Sequence, residues 1–177
     1  MESEARGAEG SPPSTPSELA ALLDRTLAAA EHMIALVPDE GIQRASAPEH
    51  RSAGDLAYHL FRLSVALVDA MDRGRFVAEW LRENVPPDLT DGRALARYGA
   101  LVRGRVSGWF EGAGLVELSR VIDGDEGATR ADQLLEQTTR HAACHLRQLH
   151  EKLEAMGLML EPLPGDLARL SPPQGCA

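Results

Sequence analysis

Apolar side chains recur at helical spacing in four long stretches of the chain, and proline, glycine and acidic residues break the rhythm between them. The first stretch runs through Leu19, Leu22, Leu23, Leu27, Ala30 and Ile34 and stops at Pro38. Thr15, Pro16 and Glu18 stand before it at the N-cap, N1 and N3 positions, where hydroxyl and carboxylate can satisfy the first backbone amides of a helix. Ser52 and Asp55 repeat that signal ahead of "DLAYHLFRLSVALVDAMD", with Gly74 as its C-cap. "RFVAEWL" predicts a turn or two of helix before Pro86 and Pro87 break the chain. A third helix is expected from about Thr90 to Glu111, with Leu95, Tyr98, Leu101, Val102, Val106, Trp109 and Phe110 as its apolar positions. Gly99, Gly104 and Gly108 each weaken it by roughly 1 kcal/mol relative to Ala, a loss that close packing would have to offset. "GLVELSRVIDGDEGATR" alternates locally between glycine and aspartate breaks, predicting an extended loop or a short hairpin. The fourth and strongest pattern, "ADQLLEQTTRHAACHLRQLHEKLEAMG", has Thr129 and Asp132 as N-cap candidates and ends at Gly157.

Four long helices without sustained heptads or an internal repeat define an all-α fold, a four-helix bundle with a short extended segment between helices three and four. Residues 1–14 are too poor in apolar side chains to offset the entropy of ordering and read as a disordered tail. The bundle occupies residues 15–158. Residues 159–177 form a proline-rich extension expected to wrap the surface or reach a neighbouring subunit.

Composition narrows the picture. The 177 residues suit one domain, and 44% hydrophobic with 25% charged residues is ordinary globular usage. A formal charge of -9 repels phosphate backbones and anionic lipid surfaces, so neither nucleic acid nor membrane is an expected partner. The N-terminus is acidic and lacks an apolar leader segment, and no stretch approaches a membrane span; a soluble, cytoplasmic protein is expected. Cys144 and Cys176 cannot form a disulfide framework, and their spacing matches no zinc knuckle.

Histidine is where the pattern breaks. With Leu134 at zero and about 100° per residue, the apolar stripe of the fourth helix spans roughly 0° to 120°. His145 falls inside that stripe and His141 on its rim, whereas His150 lies outside it on the solvated side. In the second helix, His59 sits among Leu56, Leu60 and Leu63. Three imidazoles therefore point inward. A single inward histidine is more often a hydrogen-bonded core residue than a ligand, but three without partners would each cost on the order of 1–3 kcal/mol. A shared metal removes that cost, since side chains at i and i+4 lie close enough to bind one ion and a facing helix supplies a third donor. Three neutral imidazoles suit zinc, nickel or iron and leave coordination positions open.

The segments "GDLAYHLFRL" and "LLEQTTRHAACHLRQLHEKLEAMGL" resemble those of the DinB/YfiT-like superfamily of four-helix-bundle metal proteins, over roughly residues 17–158. "YHLFRLSVALVDAMDRG" and "PPDLTDGRALARYGALVRGR" look closest to the DinB domain fused to glutaredoxin in some bacterial proteins, although this chain has no C-x-x-C motif. The resemblance implies a divalent metal, zinc first with nickel or iron as alternatives, held by His59, His141 and His145. It also implies a homodimer, a small-molecule substrate and a low-molecular-weight thiol such as glutathione, mycothiol or bacillithiol as cosubstrate. The implied enzyme is an S-transferase or isomerase, or a hydrolase, with the nucleophile a metal-bound thiolate or water. The alternative is a non-catalytic, metal-stabilised dimeric binding or stress-response module.

Supporting roles follow. Arg62, one turn after His59, is a candidate to clamp a substrate carboxylate, with a surface salt bridge as the plain alternative. Thr138, Gln137 and Gln148 lie within a turn of the ligands and are candidates to orient their ring N–H groups. Cys144 points away from both fourth-helix ligands and reads as an inert or interface thiol. His32 reads as packed or partly solvated and His50 as loop. Trp80, Tyr98 and Trp109 are expected to pack the core, Tyr58 to face elsewhere toward a second subunit, and "DGDEG" to be an acidic turn without the ligand alternation of a calcium loop.

Overall fold

The computed structural model describes residues 15–43, 51–125 and 127–169. The N-terminal tail, Pro48, His50 and the end of the extension with Cys176 lie outside the described residues. Four long helices form the body: α1 (Pro16–Ala35), α3 (Ala53–Arg73), α4 (Gly92–Trp109) and α6 (Ala131–Ala155), with α2 (Asp39–Ile42) a single turn between the first two. The strand β1 (Arg75–Phe76) and a 3-10 turn (Ala78–Leu81) follow α3. A π-helical turn (Phe110–Gly114), α5 (Leu115–Glu117), β2 (Val121–Gly124) and β3 (Thr129–Arg130) separate α4 from α6, and α7 (Gly165–Arg169) lies in the C-terminal extension.

The capping expectations are realised at two helices. Thr15 with Glu18 and Ser52 with Asp55 form reciprocal capping boxes, and Gly74 closes α3 with φ of 68°, a conformation glycine adopts without strain. At α6 the cap differs from the expected Thr129 or Asp132: it is Arg130, whose amide donates to Gln133 Oε1 at 3.3 Å, while the Asp132 carboxylate pairs with the Arg130 guanidinium. The extended segment is a hairpin. β2 pairs antiparallel with β3 and parallel with β1, which ties the end of α3 to the start of α6. "RFVAEWL" is thus partly strand, because β2 offers Arg75 and Phe76 a pairing edge that local periodicity cannot announce.

Each long helix contacts two principal neighbours. α1 packs on α4 and α6, and α3 on the same two, so α1 and α3 stand diagonally. Leu23, Leu27, Ile34, Leu60, Phe61, Leu67, Leu95, Leu135 and Leu146 fill the centre fully buried, each contributing roughly 1.5–3 kcal/mol of transfer free energy. Buried hydroxyls are satisfied locally: Thr26 and Thr139 each donate to a carbonyl four residues earlier at 2.8 Å. Of Gly99, Gly104 and Gly108, only Gly99 meets the close-packing expectation, since a Cβ there would lie 2.4 Å from the Phe61 ring; Gly104 and Gly108 face open space. The extension folds back, burying Leu167, pairing Asp166 with Arg25 and placing the Glu161 carbonyl 3.1 Å from His150 Nε2. His150 is therefore covered, not solvated as its helical angle suggested. No helix among the described residues is long and apolar enough to cross a membrane.

Candidate metal centre

α3 and α6 pack along much of their length, and the inward side chains at one level of that seam are His59, His141 and His145. One nitrogen from each ring lies within 4.8 Å of the others. The His141 and His145 ring centroids are 4.7 Å apart, and His59 stands edge-on to both, at 5.9 Å and 4.8 Å. His145 is buried, at 3% exposure, and the other two are half-buried.

The hydrogen bonds fix how His145 is presented. Its Nδ1–H donates to Gln148 Oε1 at 2.7 Å, which leaves the Nε2 lone pair facing inward, 3.0 Å from His141 Nε2. His59 lies beside the Leu81 backbone, which favours its protonated form. Burial pushes the His59 imidazole down to about 3, with the Arg51 charge and the other two rings adding to the effect and the Leu81 backbone opposing it. Burial likewise lowers His145, to about 4 against the pull of Gln148, and lowers His141, where Arg51 adds to the shift. All three are neutral near pH 7, the protonation state a metal ligand needs.

The donor set fits a divalent ion. At about 2.0–2.1 Å from a tetrahedral zinc, imidazole nitrogens sit roughly 3.3–3.4 Å apart, so the observed separations require adjustments of tenths of an ångström to about 1.5 Å. The His145 ring already has an N–H held by an outer acceptor, the arrangement that orients metal-bound histidine. Beside His59 a cavity of about 280 Å³ opens between the start of α3 (Arg51, Asp55, Tyr58) and the segment from Leu81 to Val85. His141 and His145 stand behind His59 and do not line it.

Of the three polar candidates near the rings, Gln148 hydrogen-bonds His145; Thr138 is buried, Gln137 is exposed, and neither hydrogen-bonds an imidazole. Arg62 is turned inward: its Nη2 donates to the Trp80 carbonyl at 3.1 Å and pairs with Glu83 at 3.0 Å, while its buried Nε has no partner. The pair joins a largely buried guanidinium to a half-exposed carboxylate. Cys144 is disulfide-bonded and so not the free thiol the sequence suggested. His32 is exposed. Tyr58 is buried, not surface-facing, and packs on Tyr98 with centroids 5.6 Å apart. Trp109 joins the core rim and donates to Asp72 at 2.9 Å, and Arg73 lies over the Trp80 ring. In the acidic turn, Asp125 accepts from the Ala78 amide and so helps position the 3-10 segment that carries Leu81.

Sequence reasoning missed Arg51 and the segment from Leu81 to Val85. That segment has no periodicity, and its place beside His59 comes from the sheet pairing and the Asp125 contact.

A helical bundle with three convergent histidines between two of its helices is the class these features define. Its fold is that of DinB-like proteins, in agreement with the resemblance read from the sequence. The chain superposes on the DinB-like protein YjoA of Bacillus subtilis with a TM-score of 0.66 and 16% identity, covering 82% of this chain and 96% of that one. A DinB-like protein of Bacillus cereus ATCC 10987 gives a TM-score of 0.68 and 17% identity, covering 84% and 97%. No family model matches the chain, and no curated protein matches it in sequence.

Proposed function

We propose that His59, His141 and His145 hold one divalent metal ion, zinc first with nickel or iron as alternatives, and that the protein is a metal-dependent enzyme acting on a small molecule. The observation that carries this reading is the convergence of three neutral imidazoles from two helices beside a cavity that reaches one of them. When bound, such an ion lowers the pKa of water or of a low-molecular-weight thiol and so supplies a nucleophile at neutral pH. The chain's own part is positional. Gln148 holds the His145 imidazole by its ring N–H, and the α3–α6 packing buries that ring. The histidines act as ligands and not as general bases, because their inner lone pairs are committed. S-transfer or isomerisation with a thiol cosubstrate is the first reaction class, and hydrolysis the second.

The test is turnover of a chlorinated aromatic acceptor with glutathione, mycothiol or bacillithiol. Activity is expected with one of the three, lost on chelation, restored by metal and absent in His145→Ala. Stoichiometric metal with silence from all three thiols, and no hydrolysis of activated esters, would favour the non-catalytic module.

A further inference from the structure

Four charged side chains line the cavity beside His59, and they differ in how far they are already engaged. The Asp55 carboxylate is taken up by the α3 cap, accepting from the Ser52 amide at 3.1 Å and its hydroxyl at 2.7 Å. Glu83 holds Arg62 at 3.0 Å. Arg82 reaches Glu79 only at 3.8 Å, with both side chains largely exposed, and such a contact contributes little. Arg51, immediately before the Ser52 cap, is exposed and makes no hydrogen bond or ion pair among the described residues.

The cavity therefore turns both of its carboxylates toward internal partners and keeps two guanidiniums for whatever enters, one of them unengaged. In a chain of formal charge -9 this is a local reversal of sign. The Arg51 charge also contributes to the lowering of all three histidines, so its field covers the cluster as well as the cavity mouth.

We infer that the cavity selects a small carboxylate-bearing substrate or cosubstrate, with Arg51 binding the carboxylate while the reactive end faces the histidine cluster. The inference rests on the proposed metal-centre reading and deepens it. A guanidinium fork matches a carboxylate in a bidentate manner, and a monoanion suits a wall that also carries Asp55 and Glu83 better than a doubly charged phosphate does. The volume, about 280 Å³, lies at the small end of ligand pockets. Arg62 does not serve this role, because Glu83 and the Trp80 carbonyl hold its Nη2.

The experiment uses the full chain loaded with cobalt(II), whose visible bands report ligand entry. It is titrated with 3-mercaptopropionate and 6-mercaptohexanoate, each against its neutral amide. At least one acid should bind roughly 10-fold more tightly than its amide, the scale of one charge-assisted hydrogen bond. That preference should fall to near unity in Arg51→Gln, with a smaller loss in Arg82→Gln. Equal affinities for acid and amide in the wild type, or a preference that survives Arg51→Gln, would overturn the inference and leave the metal centre standing. Failure to take up cobalt at all would remove both readings. Arg51 is exposed at the surface, so the variant is expected to fold, and an unchanged cobalt spectrum before titration checks this.

Discussion

Where α1 meets α4, charged groups sit at the margin of the seam and answer one another. Arg103 Nε donates to Asp24 at 3.0 Å, its Nη1 donates to Glu31 at 3.1 Å, and the Ser107 hydroxyl adds a 3.4 Å contact to the same Asp24. Each of these ionic side chains keeps part of its surface in water. Where α3 meets α6, three imidazoles instead turn toward one another, buried or half-buried, with the ring N–H of His145 satisfied from outside the cluster. The first arrangement is complete as it stands. The second brings three neutral imidazoles from two helices within 4.8 Å of one another, a donor set of the kind that a divalent cation binds.

The sharpest way to break this comparison is to remove one member from each seam and measure metal affinity by competition with a chelator. His145→Ala should weaken zinc binding by well over 100-fold, more than loss of an outer orienting partner does. Arg103→Met should leave zinc affinity unchanged. Equal affinity in wild type and His145→Ala would erase the distinction between the seams.

Next in size is Gln148→Ala, which frees the Nδ1 hydrogen of His145 without touching a ligand; a loss of about 10- to 100-fold in metal affinity is expected. A fall of less than twofold would mean that helix packing alone orients the ring.

The metal-free protein sharpens the contrast through pH. Folding holds His59 at about 3 and His145 at about 4, below the ordinary imidazole value near 6.5. The unfolded chain thus binds protons that the folded chain refuses. The stability in question is fully present above about pH 6.5 and is lost as pH falls toward those lowered values. After chelation, Tm should fall from pH 6.5 to pH 4 more steeply in the wild type than in His59→Leu/His145→Leu. Parallel acid limbs would show that the cluster is not the source.

The smallest effect belongs to the margin of α1 and α4. Arg103→Met should lower stability by less than about 1 kcal/mol in chemical denaturation, because partly exposed pairs are screened by water. A loss of several kcal/mol would mean that this seam also depends on buried charge.

Much of this contrast is legible in the amino-acid order. The Thr15 and Ser52 caps, the end of α3 at Gly74 and the inward placement of His59, His141 and His145 follow from local chemistry and a 3.6-residue period, both of which a linear sequence carries. What periodicity cannot carry is the place of a non-repeating segment. Leu81 reaches His59 because β1 pairs with β2 and Asp125 caps Ala78, contacts between residues more than forty apart. The same limit explains the two arginines. Arg62 lies one turn from His59 on the same helix and looks like the substrate clamp, but Glu83 arrives from the unpredicted segment and engages it. Arg51, outside the helix and so outside any helical projection, is the one left facing the cavity. His150 errs in the other direction: its angle on α6 is solvated, and only the returning extension covers it.

The most direct measurement is X-ray absorption at the zinc edge of the reconstituted protein. Three imidazole nitrogens at about 2.0–2.1 Å, with the remaining positions filled by light oxygen scatterers or an added thiol, are what the convergence of His59, His141 and His145 predicts. An edge showing one imidazole or none, or a spectrum unchanged in His59→Ala, would contradict it.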